Sequence, residues 1–319
     1  MKLIERIYRN NLFVRNDNQY GIFYFTAADF PGLQAQPYSF KSRMGHELRG
    51  YFYHYENPVP ARLVVFDHGM GNGHRAYLRE IERLAKAGYL VFSYDHTGCM
   101  ESGGDNTGGF AQSLKDLDDC LKALKAEPAL AGRKISVMGH SWGGFSTMNI
   151  GALHEDITHV VSMSGFISVK AMLEQLFAGI LKGAVKDLYQ LEKRVNGACA
   201  DFDAVQTLEK TNVKVLLIAS ANDSTVKKEH HFEVLRRALS GRENIRFLLT
   251  EGKGHNPSYT VDAVRYKDEF FAQFQKAVRK KKLETPQQQK AFMDAYDWYR
   301  MTAQDEAVWK VILEHLKQL

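Results

Sequence analysis

Cysteine is scarce in this sequence. Cys99, Cys120 and Cys199 are far apart, odd in number and free of any CxxC pair. That spacing argues against a disulfide framework and against a zinc site. Long apolar runs are also missing, and none approaches the ~18–20 residues that a membrane-spanning helix needs. The opening "MKLIERIYRNNLFVRND" has neither a continuous apolar stretch nor a small-residue cleavage site, so it does not read as a secretory signal. Charge of one sign is not in excess either. Forty-two basic residues stand against 37 acidic ones for a net +5, too even a spread for a nucleic-acid footprint. The densest run, Arg279-Lys280-Lys281-Lys282, suits the C-terminal end of a helix, where cations oppose the dipole. These absences point to a reduced, cytoplasmic setting with no nucleic-acid partner.

What is present is a rhythm. The first thirty-odd residues resist assignment, and "YSFKS" and "LRGYFYHY" then read as a hairpin turning at Met44-Gly45. From Ala61 onward, apolar runs alternate with helical periodicity. "ARLVVFD", "YLVFSYD", "KISVMG", "HVVSMSG", "VKVLLIAS" and "NIRFLLT" are runs of the kind that form buried parallel strands. Between them, Leu78, Ile81, Leu84 and Ala85, and then Leu114, Leu117, Leu121 and Leu124, fall on helix faces. The expected fold is α/β, a mostly parallel sheet flanked by helices. Residues 167–212 break the rhythm with helical spacing (Met172, Leu173, Leu176, Phe177, Ile180, Leu181) and are read as a helical cap inserted into a core of 1–166 and 213–319. That core would carry an N-terminal extension of about 1–36 and a helical tail of about 281–319. The tail ends in a helix with Val308, Val311, Ile312, Leu316 and Leu319 on one side, and Thr302 with Asp305 is expected to form its capping box.

The stretch "GHSWGG" follows the strand "KISVM" and precedes the helical "FSTMNIGAL". A serine on a sharp strand-to-helix turn, with small residues on either side, is the setting of a nucleophile elbow, so Ser141 is the candidate nucleophile. A serine hydroxyl needs a base, and the base needs an orienting acid. Asp223 lies just past "VKVLLIAS", and His255 lies in the glycine-rich loop past "NIRFLLT". Asp201 and Asp203 precede their strand and are weaker acid candidates. Donors for an oxyanion are expected from the backbone N–H of Trp142 and of Met70, in the loop "HGMG" after the first parallel strand. The Trp142 side chain is left free to shape a pocket.

Together the elbow, the "HGMG" loop, Asp223 and His255 resemble the α/β-hydrolase superfamily, over roughly Phe40 to Ala277. "YDHTGCMESGG" is similar to that superfamily's Asp-x-x-Gly-x-Gly-x-Ser loop through Asp95, Gly98 and Ser102, with Met100 where the second glycine would stand. The resemblance is closest to the serine aminopeptidase and lysophospholipase-like branch. It implies a serine esterase with triad Ser141–His255–Asp223, no metal or organic cofactor, and a small-molecule acyl substrate. His68, Phe166, Leu176 and Phe177 would be its substrate contacts, and self-association is left open. An acyltransferase or an aminopeptidase would use the same triad, the latter with an acidic amine anchor such as Glu101 or Asp105. A non-catalytic binding protein on the same fold is the alternative of another class. His140 is expected to pack beside the elbow, His230 and His231 to point apart on a helix, and His154 with His159 to miss the spacing of a helical zinc pair.

Overall fold

The computed structural model describes residues 3–55, 61–71 and 73–317. Its strands are β1 (Gln34–Lys41), β2 (Glu47–His54), β3 (Arg62–Asp67), β4 (Leu90–Tyr94), β5 (Lys134–His140), β6 (His159–Met163), β7 (Lys214–Ser220) and β8 (Ile245–Thr250). They form one sheet in the order β1-β2-β4-β3-β5-β6-β7-β8. β1 and β2 pair antiparallel, as do β2 and β4, and every later pairing is parallel. The hairpin begins at Gln34, earlier than the sequence suggests. Its outer strand is mostly exposed and contains Pro37, so it carries no alternating apolar signal and tolerates a missing N–H at the sheet edge.

The helices are α1 (Leu3–Leu12), α2 (Leu78–Lys86), α3 (Gln112–Ala126), α4 (Trp142–Asn149), α5 (Val169–Leu176), α6 (Val185–Asn196), α7 (Ala204–Lys210), α8 (Phe232–Leu239), α9 (Val261–Arg279), α10 (Pro286–Asp294), α11 (Trp298–Met301) and α12 (Glu306–Lys317). Successive strand residues face opposite sides of the sheet. Leu63, Val65, Val137, Val160 and Leu217 therefore meet α3, α4 and α8 on one face. Val64, Phe66, Met138, Val161 and Leu216 meet α2 and α12 on the other. Parallel strands covered on both faces must be apolar throughout, which is why the inner runs are continuous.

The segment between β6 and β7 is helical as expected, but it is not uniform. α7 packs against α4 and α8 as part of the layer on the sheet, whereas α5 and α6 pack on each other and α6 packs on α1. Nothing is described of the side chains of Ile180 and Leu181, and Leu319 lies outside the described residues. The N-terminal extension crosses the molecule. It starts on the insertion, where Glu5 pairs with Arg194 at 2.9 Å. It then passes the loop after β4, where the Arg15 guanidinium donates to the carbonyls of Met100, Ser102 and Gly104. It ends on the C-terminal tail, with the Phe23 ring 5.5 Å from that of Trp298.

Two local expectations are corrected. The cap of α12 is Asp305, whose Oδ1 accepts from the N–H of Ala307 and Val308, while the Thr302 hydroxyl turns back to the carbonyl of Trp298. A threonine that bonds its own preceding turn cannot also cap the next helix. His230 and His231 sit in the turn before α8 and not on a helix. The basic run does fall at the end of α9. The three cysteines are buried as free thiols. Among the described residues, no helix is long and apolar enough to cross a membrane.

Candidate active site

β5 ends at His140 and α4 begins at Trp142, so Ser141 alone makes the turn, at φ 56° and ψ −109°. This is a backbone region that side-chain-bearing residues avoid, at a cost of about 1–3 kcal/mol. The surroundings hold it there. Ser141 N–H donates to Met163 O at 2.8 Å, and Phe145 N–H donates to Ser141 O at 3.0 Å. The neighbouring glycines explain the motif. A Cβ on Gly143 would overlap the carbonyl of Asp67 at the end of β3, and one on Gly139 would overlap the carbonyl of Gly143. Only a strand and a helix bare of side chains can approach this closely.

Asp223 and His255 lie on the loops after β7 and β8, and the structure brings them together. His255 Nδ1 is 2.8 Å from Asp223 Oδ2. The other carboxylate oxygen accepts from the N–H of Thr225 and Val226 at 2.8 and 3.0 Å. A carboxylate so placed can only accept, so Nδ1 carries the proton and Nε2 is left with the lone pair of a base. Burial pushes the Asp223 pKa up, but the His255 hydrogen bond and charge and the two backbone donors outweigh it and hold the carboxyl below its usual range. Asp201 and Asp203 are engaged elsewhere, the first with Tyr189 and Lys193, the second as the cap of α7.

The loop after β3 is built on two buried groups. His68 Nδ1 donates to Gly69 O at 2.7 Å, and its Nε2 accepts from His96 N–H at 3.0 Å. Burial, then the neighbouring His96, hold the His68 pKa down to about 3, so the ring is neutral in this arrangement. Met70 is half-buried at the tip of the loop. Below it, His96 lies between Asp67 at 3.1 Å and Asp116 at 3.3 Å. Burial opposes its charge, but the two carboxylates prevail and raise its pKa to about 10. The resulting imidazolium is 4.7 Å from the Trp142 ring, which also donates its indole N–H to Phe110 O at 2.6 Å. The Trp142 side chain is thus committed inward and not free to shape a pocket.

His140 does pack beside the elbow, with its ring 4.7 Å from that of His255. The other expected contacts separate. His68 is fully buried, and Phe166 is 2% exposed and stacked on Phe145 at 4.7 Å. Phe177 packs toward Tyr8, and Leu176 is 48% exposed. Glu101 is held by Arg75 at 2.6 Å. In the loop after β4, Asp95 accepts from His74 and from Glu101 N–H, and Ser102 Oγ donates to Asp95 O. Met100 adopts φ 44°, so the conformation that favours glycine is present without the glycine. Its carbonyl and N–H are tied to Arg15 and Asn16 of the N-terminal extension.

Residues 58–206 match the family described as serine aminopeptidase, S33. A monoglyceride lipase homologue of Monkeypox virus is 28% identical over 139 residues, which are 41% of this chain and 49% of that protein, so the match spans about half the length of that curated relative. Among solved structures, an esterase of Pyrococcus furiosus is 19% identical, with a TM-score of 0.59 over 84% of this chain and 96% of that one. An acylaminoacyl peptidase of Pyrococcus horikoshii is 16% identical, with a TM-score of 0.52 over 71% of this chain and 38% of that one. The strand order, the elbow between β5 and α4, and these likenesses agree: the chain has the α/β-hydrolase fold.

Proposed function

We propose that this protein is a serine hydrolase that cleaves a carboxylic ester or related acyl bond through an acyl-enzyme. The observation that carries the reading is the Asp223–His255 pair, which sits at the ends of adjacent strands against His140, the residue before the strained turn of Ser141. In the first half-reaction, His255 Nε2 takes the Ser141 hydroxyl proton as the oxygen attacks the substrate carbonyl. The N–H groups of Met70 and Trp142 receive the developing oxyanion, and Asp223 stabilises the imidazolium. His255 then returns the proton to the leaving alcohol, and the acyl group remains on Ser141. In the second half, His255 deprotonates a water molecule, which releases the acid and restores the serine. α5 and α6 act as the cap.

Ester cleavage is favoured over aminopeptidase action by one observation. Glu101, one of the two acids named as an amine anchor, is paired with Arg75 and bonded to the Tyr51 hydroxyl. It has no charge left over to anchor a free ammonium. Hydrolysis of p-nitrophenyl esters of graded chain length, beside an aminoacyl amide, tests both readings. Ser141→Ala should abolish fluorophosphonate labelling and cost activity on the order of 10⁶-fold. Labelling that survives in this variant removes Ser141 from the role.

A further inference from the structure

His140, the residue before Ser141, is more than a packing neighbour. Its Nε2 lies 2.6 Å from the carbonyl oxygen of His255. A carbonyl only accepts, so Nε2 carries the hydrogen. The ring is buried, and burial together with the adjacent His255 holds its pKa down to about 3. It is therefore neutral, and Nδ1 has a lone pair. The Tyr77 hydroxyl sits 2.8 Å from that nitrogen and must be the donor. Burial raises the Tyr77 pKa, so the phenol keeps its hydrogen. The same oxygen lies against the backbone of Gly69. A Cβ on Gly69 would overlap the Tyr77 oxygen, which gives the glycine of "HGMG" its reason.

The donations run one way, from Tyr77 to His140 and from His140 to His255 O, and the Tyr77 oxygen that starts them abuts Gly69. Both ends are functional loops. At one end, Gly69 is packed against the Tyr77 oxygen and held at its carbonyl by His68 Nδ1. The Gly69 carbonyl and the Met70 N–H belong to one planar trans peptide and point in opposite directions. Fixing the carbonyl therefore aims the N–H of Met70. At the other end, the His255 backbone is fixed, and its ring is left to be turned by Asp223 alone.

Resting on the hydrolase reading above, we infer that Tyr77 and His140 are positioning residues that set the oxyanion loop and the base His255 in register with Ser141. Neither touches substrate. They couple three loops that follow three different strands, so that an error at one is not absorbed independently by the others.

The test compares Tyr77→Phe, His140→Leu and His140→Gln with the wild type by kinetics on a short p-nitrophenyl ester, by fluorophosphonate labelling rate, by thermal melting and by proton NMR. The downfield resonance of the His255 Nδ1 hydrogen reports the geometry of the His255–Asp223 bond without any turnover. Tyr77→Phe keeps the ring and loses only the donor. It should lower kcat and the labelling rate by about 10- to 10²-fold, the cost of misplacing a catalytic group. KM should stay within about twofold, and the His255 resonance should shift. His140→Gln retains a donor and an acceptor and should recover part of what His140→Leu loses. The inference is overturned if Tyr77→Phe keeps kcat within about twofold, or if the resonance is unmoved in a folded variant. Should His140→Leu fail to fold, Tyr77→Phe decides. If Ser141→Ala still labels, the nucleophile assignment fails, while the resonance still reads the Tyr77–His140 coupling.

Discussion

The Tyr8 hydroxyl donates a 2.6 Å hydrogen bond to Glu192 Oε1, joining α1 to α6 across 184 residues of sequence. Glu192 is fully buried and also accepts from Phe110 N–H and from Asn196 Nδ2. Burial raises its pKa, and these donors offset part of that rise. Phe110 in turn takes the indole hydrogen of Trp142, so the path from α1 ends one residue beyond Ser141.

Tyr8→Phe should therefore loosen α1 first. It leaves a buried carboxyl short of one donor, at a cost of about 1–3 kcal/mol. Limited proteolysis between residues 12 and 20 should accelerate, while ester hydrolysis falls by less than tenfold. Cleavage at the wild-type rate would mean that the bond does not hold the helix.

Asp223→Asn should lower kcat by roughly 10⁴-fold with the fold intact. The two backbone N–H groups of Thr225 and Val226 select the amide oxygen, which turns the NH₂ toward His255 Nδ1. The imidazole must then accept at Nδ1 and carry its hydrogen on Nε2, where it can no longer take one from serine. A loss of less than tenfold would exclude Asp223 as the orienting acid.

Gly143→Ala probes the close approach of α4 and β3. The added methyl meets the Asp67 carbonyl, which belongs to the backbone of a central strand and cannot swing aside. A loss of about 3 kcal/mol or more is expected, along with the loss of fluorophosphonate labelling. A melting temperature close to wild type would show that the elbow has room to shift.

Stability should peak near neutral pH. Burial is the leading cause that holds His68, His140 and His231 down to about 3, and His315 to about 4, against about 6.5 in an unfolded chain. As pH falls below 6.5, the unfolded chain binds protons that the folded one refuses, and stability is lost. Glu80, raised to about 8 by burial, works the other way. Its contribution is full below about 4.5 and is lost as pH rises through 8, but it is one group against four. His96 also favours the acid side. Its ion pairs contribute in full below about 6.5 and are lost as pH rises through 10. A melting series from pH 4 to 10 checks this balance, and a melting temperature that climbs from pH 7 to pH 4 would contradict it. His96→Leu, which strands two carboxylates, should cost about 3–5 kcal/mol at neutral pH.

The parallel strands and the elbow were legible because both are local. "ARLVVFD" and "KISVM" are apolar without a break, and the turn after each contains glycines whose reason is steric. Asp223 and His255 were legible by position, each just past such a run. The partners of those groups were not. Tyr77 meets His140 across 63 residues, and Tyr8 meets Glu192 across 184, with no periodicity to mark either. The charge on His96 depends on Asp67 and Asp116, which come from different elements. The N-terminal extension escaped assignment because its residues are shared among three distant surfaces. Met100 could be seen as a departure from the glycine pattern, but not that it would take the glycine conformation regardless.

That extension has a consequence for synthesis. Tyr8 leaves the ribosome well before Glu192 exists, and Phe23 well before the rings of Phe271 on α9 and Trp298 in the tail. Until then Tyr8 lacks its partner on α6 and Phe23 lacks its ring neighbours. A nascent chain must therefore carry this extension unseated while the sheet assembles. Its earliest residues are thus among the last to be seated, and refolding from denaturant should show them gaining protection after the central strands.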